Sequence, residues 1–230
     1  MANCNHSTCR NHPVCGQINK IDDKKPGGNI YKMGQTHIHK GHKVFGWHSG
    51  DESRFYNNLI KNLKNGTIIE IGVYGGASLL GVADTLKKTN SHLYEIDPWE
   101  KVVNANGTPM SNEQRDIHRN KLKKLRLHLD SIIKKENYDK NITLVCDFAS
   151  NFASQFKEKS VDIVFVDGDH SYDSVYDDIT TWLPKIKDGG VMWGDDFVWG
   201  SVAKAVKDYC KNNNLKFEVV CGNRAWKIVK

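Results

Sequence analysis

Acidic residues gather at two points of this chain, each directly after an apolar run that reads as a β-strand. The carboxylates at these points belong to Asp167, Asp169, Asp195 and Asp196. Ligands of an open α/β sheet bind beyond the carboxyl ends of its strands, so we expect these side chains to converge on one edge. Three or four acidic oxygens gathered there would suit a hard divalent cation, which could hold a hydroxylated substrate.

Both acidic points also have a simpler explanation as polar turns. Aspartate and glycine are common in turns, and Asp195 with Asp196 could cap the next helix by accepting its first backbone N–H groups. Because the two motifs follow successive predicted strands, we favour a ligand site over a pair of unrelated turns.

Apolar runs alternate with amphipathic segments from about residue 51 onward. Short β-strands are predicted at residues 67–71, 92–96, 142–146, 161–166 and 191–194. Amphipathic helices are predicted at residues 51–63, 77–86, 174–183 and 201–212. Strands that alternate with helices are typical of a parallel, doubly wound α/β sheet.

The C-terminal end of the chain departs from this alternation. Residues 216–221 and 224–229 read as two strands, and Gly222-Asn223 between them favours a hairpin turn. The predicted sheet therefore has seven mostly parallel strands and ends in an antiparallel hairpin. Residues 110–136 have the spacing of a long amphipathic helix, which could cover the sheet or act as a lid that contacts a substrate.

Length and composition favour one domain with an appendage. The 230 residues are enough for one well-buried α/β core, whereas two full domains would each be small. We assign residues 46–230 to this domain and residues 1–45 to an irregular N-terminal appendage, a possible metal knot or substrate cover. No apolar run reaches the roughly 18 residues of a membrane span, and the start lacks the apolar core of a signal peptide. We therefore predict a soluble cytoplasmic protein without a membrane partner.

The charge of the chain does not identify a partner. A net charge of +6 would allow an anionic partner such as nucleic acid. Lysine is, however, scattered between acidic residues along the predicted helices, which is more typical of a solvated surface. We therefore do not expect nucleic acid to bind, and the sequence leaves homo-oligomerisation open.

The N-terminal segment carries a separate group of potential metal ligands. They are Cys4, His6, Cys9, His12 and Cys15. Zinc would stabilise such a short polar segment, but the spacing does not match the usual paired C-x-x-C motif. A zinc site is one interpretation, and an unstructured tail is the other.

The turn after the first core strand is rich in glycine and could bind a cofactor. Its candidate contact residues are Glu70, Gly72, Tyr74, Gly75, Gly76 and Ser78. Glycine lets the backbone approach a ligand closely, and the start of the next helix offers free N–H groups. The glycine spacing differs from the G-x-G-x-x-G motif of dinucleotide sites, which disfavours an NAD-linked oxidoreductase.

The next two strand ends carry further candidate cofactor contacts. Glu95 and Asp97 end the second strand, and either carboxylate could accept the two hydroxyl groups of a ribose. The phase of the strand does not decide between them. Asp147 ends the third strand, where it could accept an adenine amino group while Phe148 faces the ring.

These motifs together resemble the metal-dependent O-methyltransferases, which use S-adenosylmethionine. The resemblance rests on Glu70-x-Gly72-x-Tyr74-Gly75-Gly76-x-Ser78, on Glu95-x-Asp97-Pro98 and on Asp167-Gly-Asp-His170 with Gly194-Asp-Asp196. Catechol and caffeoyl-CoA O-methyltransferases share the pattern, as do macrocin-type sugar O-methyltransferases and the cephalosporin-hydroxylase-like family. The likeness covers about residues 46–230 and implies a Rossmann-like methyltransferase fold.

The resemblance also implies roles for the acidic residues and the histidine. Asp167, Asp195 and Asp196 would hold Mg²⁺ or Mn²⁺, and Asp167 would also lie beside the cofactor. Glu70 would lie near the cationic methionine portion of S-adenosylmethionine. His170 stands where the catechol-type enzymes carry a lysine as general base, so His170 and Asp167 are the predicted catalytic residues. Asp169 could orient His170 or bind solvent.

The expected reaction is methyl transfer to a hydroxyl group, and the acceptor is left open. The histidine in place of lysine makes a phenol or catechol less expected and fits a sugar or glycan hydroxyl at least as well. A methyltransferase fold without catalytic activity, acting as a binding protein, is the alternative from another functional class.

Overall fold

A computed structural model describes residues 35–101 and 110–230, and Gly34–Lys230 forms one compact unit. The cysteines and histidines from Cys4 to Cys15, for which zinc was one interpretation, lie outside the described residues. The described residues include the whole predicted domain of residues 46–230 except for residues 102–109.

The described chain opens with an antiparallel hairpin, β1 (Gln35–His39) and β2 (His42–Gly46). Its two-residue turn has positive φ angles at both Lys40 (+47°) and Gly41 (+82°), which is the backbone of the tight turn that matches strand twist. An irregular appendage was predicted for residues 1–45, whereas residues 35–46 form this regular hairpin. Its polar strands and its Lys-Gly turn lack the apolar alternation and the Asn-Gly pair that signal a hairpin.

Seven strands form the central sheet of the domain. They are β3 (Thr67–Ile71), β4 (His92–Ile96), β5 (Ile142–Val145), β6 (Val161–Val166), β7 (Ile186–Gly194), β8 (Glu218–Val220) and β9 (Ala225–Val229). Their spatial order is β5-β4-β3-β6-β7-β9-β8, with β9 antiparallel to both β7 and β8. The prediction of a mostly parallel seven-stranded sheet that ends in an antiparallel hairpin is confirmed. The order reverses direction between β3 and β6, where a ligand of a doubly wound sheet binds.

Six α-helices accompany the sheet within residues 35–101 and 110–230. They are α1 (Gly50–Ile60), α2 (Ala77–Thr89), α3 (Asn112–Lys135), the short α4 (Ala149–Phe152), α5 (Tyr172–Trp182) and α6 (Gly200–Asn212). Two of the predicted helix starts are closed by capping boxes, Ser49 with Glu52 at α1 and Ser111 with Gln114 at α3, which satisfy their first N–H groups. No helix among the described residues combines the length and apolarity needed to cross a membrane.

Side chains pack against both faces of the sheet. Successive side chains of β6 point to opposite faces, so they belong to different parts of the core. Val164 belongs to the apolar cluster that contains Val175 and Ile179 of α5. Phe165 points the other way, stacks on Trp193 with ring centroids 3.9 Å apart, and also contacts Tyr56 of α1. This packing fixes β6 and β7 side by side, and with them the acidic turns at their carboxyl ends.

The predicted strand at residues 191–194 is longer in the structure, where β7 begins at Ile186. Gly189 has a positive φ of +80°, a conformation that glycine adopts readily. The chain nevertheless continues pairing with β6 through a register shift between Val161 and Ile163. A bulge therefore accommodates the glycines without ending the strand.

Candidate active site

The glycine-rich turn after β3 and the acidic turn after β6 are in direct contact. Gly72 has a φ of +89°, and a side-chain carbon at this position would overlap the Asp167 carbonyl group. The backbone N–H of Asp167 donates to the Ile71 carbonyl oxygen at 2.8 Å, which aligns the two turns. The predicted cofactor turn and the predicted acidic site therefore form one continuous surface.

The acidic turn gathers side chains that could ligate a metal ion. Ligand atoms of Asp167, His170 and Asp196 lie within 4.8 Å of one another. Burial, followed by the charges of Asp195 and Asp196, raises the pKa of Asp167 well above its usual value. A bound cation would oppose this rise, because its positive charge favours the ionised carboxylate.

His170 is held in place by the turn that follows β7. Its Nε2 lies 3.1 Å from Asp196 Oδ2, and the Ser201 hydroxyl donates to the His170 carbonyl oxygen at 2.7 Å. Asp196 itself has a positive φ of +55°, a conformation that is uncommon for a residue other than glycine. The turn after β7 thus fixes the histidine by its ring and by its backbone.

Asp195 lies outside this set of three and faces α1 instead. It is buried, and burial followed by the charge of Glu52 raises its pKa to about 8. Glu52 is itself fully buried, accepts from the Ser49 N–H at 2.6 Å and pairs with Arg224 at 2.9 Å. The predicted metal ligands are therefore neighbours, but Asp195 is placed between the acidic turn and a buried ion pair.

The alternative of a simple polar turn applies to Asp169 in part. Asp169 accepts from the backbone N–H of Ser171 at 2.7 Å, while the cap of α5 is Ser171 itself. Asp196, rather than Asp169, contacts His170. At α6 the cap position is Trp199, without a side-chain hydrogen bond, so Asp195 and Asp196 do not cap that helix.

Glu70 and Glu95 lie opposite each other on neighbouring strands and are both fully buried. The Ser78 hydroxyl donates to one oxygen of Glu70. The other Glu70 oxygen, both Glu95 oxygens and the Tyr56 hydroxyl have no hydrogen-bond partner among the described residues. Burial raises the pKa of Glu70 to about 8, and burial followed by the charge of Glu70 raises the pKa of Glu95 well above its usual value.

Asp97, the other candidate for a ribose, lies at the glycine-rich turn itself. Its carboxylate accepts from the backbone N–H groups of Val73 at 3.0 Å, Tyr74 at 2.9 Å and Trp99 at 2.6 Å. Burial raises the pKa of Asp97, and these hydrogen bonds oppose the rise. Because Glu95 points into the closed interior, the geometry favours Asp97 for contact with a ligand on the turn.

The third strand end is more open. Asp147 pairs with Lys101 at 3.0 Å and accepts from the Phe148 N–H at 2.8 Å, while the Phe148 side chain is 46% exposed. Trp99 is fully buried and donates from its indole N–H to the Tyr74 carbonyl oxygen at 3.0 Å, so it supports the turn from below. At the end of β5, the aromatic ring that a ligand could contact is therefore that of Phe148 rather than Trp99.

Several further side chains lie at this edge. They are His48, Glu52, Trp199 and Arg224, together with Trp47 beside the glycine-rich turn. Neither ring nitrogen of the buried His48 has a hydrogen-bond partner among the described residues, and burial lowers its pKa to about 4. Single histidines, glutamates and tryptophans carry no spacing signal, although the pair Trp47-His48 before the first helix was a visible hint.

A family model and a viral protein match the sequence of this chain. The model of the family described as "Methyltransferase domain" matches residues 69–197, which is more than half of the chain. An uncharacterised protein of Acanthamoeba polyphaga mimivirus is 28% identical over 181 residues, which cover 71% of this chain and 73% of that protein.

Solved structures share the fold at low sequence identity. An O-methyltransferase from Bacillus cereus in complex with SAH (S-adenosylhomocysteine) has a TM-score of 0.53 and 16% identity, over 80% of this chain and 83% of that chain. An SAH-bound methyltransferase from Podospora anserina has a TM-score of 0.54 and 14% identity, over 77% of each chain. At these identities the likeness concerns the arrangement of strands and helices.

Proposed function

This chain belongs to the methyltransferase domain family, and on that premise we propose that it transfers a methyl group from S-adenosylmethionine to a hydroxyl oxygen. The observation that carries the proposal is the direct contact between the glycine-rich turn and the turn with Asp167 and His170. Methyl transfer is an in-line displacement, so the donor and the acceptor must be held side by side. Two binding turns in contact can meet that requirement.

The glycine-rich turn would hold the cofactor. The first N–H groups of α2 follow Gly76, which provides no side-chain cap, so they can donate to the cofactor carboxylate. Asp97 Oδ2 already accepts two backbone N–H groups and Oδ1 accepts one, so Oδ1 can accept a further hydrogen bond from a ribose hydroxyl. Phe148 at the neighbouring strand end would face the adenine ring.

His170 would remove the proton from the acceptor hydroxyl. When its Nε2 donates to Asp196, its Nδ1 carries the lone pair that can accept a proton. Asp196 would then also stabilise the imidazolium that forms, as a carboxylate beside a catalytic histidine does. Asp167 lies between this histidine and the cofactor turn, so it can contact both reactants.

The donor set fits a divalent cation in part. The carboxylates of Asp167 and Asp196 are close enough to share an ion, and Asp195 would join them only by leaving its position beside Glu52. A bound Mg²⁺ or Mn²⁺ would lower the pKa of the acceptor hydroxyl and fix its oxygen. His170 would not be a ligand in this proposal, because a metal-bound nitrogen cannot also accept the proton.

We further propose that the acceptor is a sugar or glycan hydroxyl. Carboxylates dominate this edge, and they accept hydrogen bonds from the many hydroxyl groups of a sugar. A phenol or catechol offers fewer donors and would need a more apolar surround.

The test is transfer of a labelled methyl group from S-adenosylmethionine to a panel of methyl glycosides and to catechol. His170→Ala should lower kcat by about 100-fold or more, the usual contribution of a general base, while SAH affinity by calorimetry stays within about twofold. His92→Ala, at the amino end of β4 and thus at the opposite sheet edge, is the matched control and should retain turnover. Full turnover of His170→Ala at every pH would contradict the assignment.

The metal proposal has its own experiment. Asp167→Asn should abolish any stimulation of transfer by Mg²⁺ or Mn²⁺ and lower SAH affinity far less, because asparagine keeps the size of the side chain and the backbone bond from residue 167 to Ile71. Chelator-treated wild-type protein should lose activity and regain it with added Mg²⁺. Full activity after complete metal removal would disprove the metal role without affecting the methyl-transfer proposal.

A further inference from the structure

An exposed apolar side chain stands beside the histidine of the candidate site. Trp199 is 54% exposed, and its ring centroid lies 5.5 Å from that of His170, at an angle of 53°. The preceding Val198 is 57% exposed. An exposed tryptophan beside a partly buried histidine and aspartate needs a reason, since tryptophan usually buries most of its large apolar surface.

The backbone holds Trp199 firmly in this exposed position. Its N–H donates to the Asp196 carbonyl oxygen at 2.8 Å, and its own carbonyl accepts from Ala203 at 2.9 Å as α6 begins. Trp199 occupies the cap position of α6, where serine, threonine, aspartate or asparagine would stabilise the helix better. The sequence thus places an aromatic ring where a capping side chain would normally be favoured.

The same short turn also determines the position of His170. Asp196 bonds the histidine ring and Ser201 bonds its backbone, while Trp199 lies between them in sequence. Any molecule whose hydroxyl reaches His170 therefore comes within reach of the indole ring. The same turn therefore carries the indole ring, which could recognise a substrate, and Asp196, which holds the proposed base His170.

We propose that Trp199 is a specificity-determining residue that binds the acceptor by packing against the C–H face of a saccharide ring. The negative face of the indole ring attracts the weakly positive C–H groups of such a ring. Hydroxyl groups at the edge of the stacked ring can then point to the carboxylates of Asp167 and Asp196. This inference rests on the proposed O-methyltransferase function and adds the residue that selects the acceptor.

A saccharide fits this surface better than a planar phenol. Trp199 and Val198 provide apolar surface that remains half exposed, which suits a ring that keeps hydroxyl groups in water. A catechol ring stacked on Trp199 would leave its other apolar face in solvent, because the neighbouring residues are the polar His170 and Asp196. The half-open apolar surface and the acidic edge therefore favour the same class of acceptor.

Trp47 provides a built-in comparison. It is 59% exposed, and its ring lies 5.7 Å from the ring of Tyr74, which belongs to the glycine-rich turn. Trp47 is therefore placed on the cofactor side, whereas Trp199 is placed beside the acceptor base. Removal of each ring should affect a different ligand.

The experiment measures binding by the full chain in the presence of saturating SAH. The probes are methyl glucoside, methyl mannoside, methyl rhamnoside and catechol, each titrated at millimolar concentrations by saturation-transfer NMR. Trp199→Ala should weaken binding of the best glycoside at least about tenfold, as loss of an aromatic anchor typically does, and Trp199→Phe should restore part of it. The ring protons of one glycoside face should receive most of the transferred saturation.

Controls separate this inference from the proposed function. SAH affinity should be unchanged in Trp199→Ala and weaker in Trp47→Ala. Val229→Ala tests a side chain of similar exposure (49%) at the far end of β9 and should change neither ligand. Labelled methyl transfer is measured in parallel. Absence of transfer would count against the proposed function, while glycoside binding that depends on Trp199 would still support Trp199 as the residue that binds the saccharide.

Three results would overturn the inference. They are glycoside binding that is equal in wild type and Trp199→Ala, binding of catechol but of no glycoside, and no binding of any probe. Equal SAH affinity and thermal stability in wild type and Trp199→Ala would exclude misfolding as the cause of a loss.

Discussion

Two glutamates that face each other under the cofactor turn are expected to make the stability of the protein depend on pH. Glu70 and Glu95 are fully buried, and in the native state their pKa values lie above 4.5, the value expected for the unfolded chain. Between pH 4.5 and about 8 the native state therefore binds more protons than the unfolded state. Stability contributed by this pair is present at low pH and is lost as pH rises through that window.

Glu70→Gln should reduce this loss of stability, because a neutral amide needs no proton in the folded state. Chemical denaturation at pH 5 and at about pH 8 measures the effect, with the free energy of unfolding of the variant falling less than that of wild type. Glu158→Gln, at an exposed position, is the control and should follow wild type. An equal pH dependence in Glu70→Gln and wild type would show that the buried pair does not titrate in this range.

Individual residues also mark how far the sequence predicted the site. Asp167 and Asp196 were predicted from acidic motifs after apolar runs and His170 from the family resemblance, and the structure brings the three together. The position of Asp195 depends on Glu52 and Arg224, which are 172 residues apart in the chain. No local pattern predicts such a pair, because its formation depends on how α1 and the last hairpin pack.

At the level of elements, the site depends on how closely two turns approach. Gly72 combines a positive φ with a position where any side-chain carbon would overlap the Asp167 backbone. A turn after β3 that contained any other residue would have to move away from the turn after β6. The spacing of these elements is therefore fixed by the absence of one side chain.

Gly72→Ala should destabilise the protein by more than the ~1 kcal/mol typical of a strained backbone conformation. The added side-chain carbon would also overlap the Asp167 backbone. Gly41→Ala is the matched control: it has a similar φ of +82° but no atom within 4 Å of the added carbon. Denaturant midpoints of both variants separate the two contributions. Equal destabilisation would mean that the two turns can separate at little cost.

Among the elements, long apolar strands were predicted most accurately. β3, β4 and β6 have the predicted bounds, since their side chains are buried and their apolar runs are uninterrupted or nearly so. The β1–β2 hairpin was missed, because it is stabilised by contacts far away in sequence. Lys40, for example, donates to the Tyr138 hydroxyl at 2.7 Å, and Phe45 bonds Gly75 of the cofactor turn at 3.4 Å.

For the whole molecule, ligand binding should add to stability. SAH at about 100 times its dissociation constant should raise the free energy of unfolding by ~2.7 kcal/mol, provided that the unfolded chain does not bind it. A thermal shift assay with SAH, with Mg²⁺ and with both together tests this expectation. Asp97→Ala should lose most of the SAH shift, because Asp97 ties the turn as well as contacting the ligand. A shift equal to that of wild type would place the cofactor elsewhere.

The close contact between Gly72 and Asp167 has a consequence for the evolution and the engineering of this fold. Neither turn can change its backbone path alone. We therefore expect substitutions in the glycine-rich turn after β3 and substitutions in the acidic turn after β6 to occur together. A graft of the segment after β6 from another family member should succeed only when the segment after β3 comes from the same source.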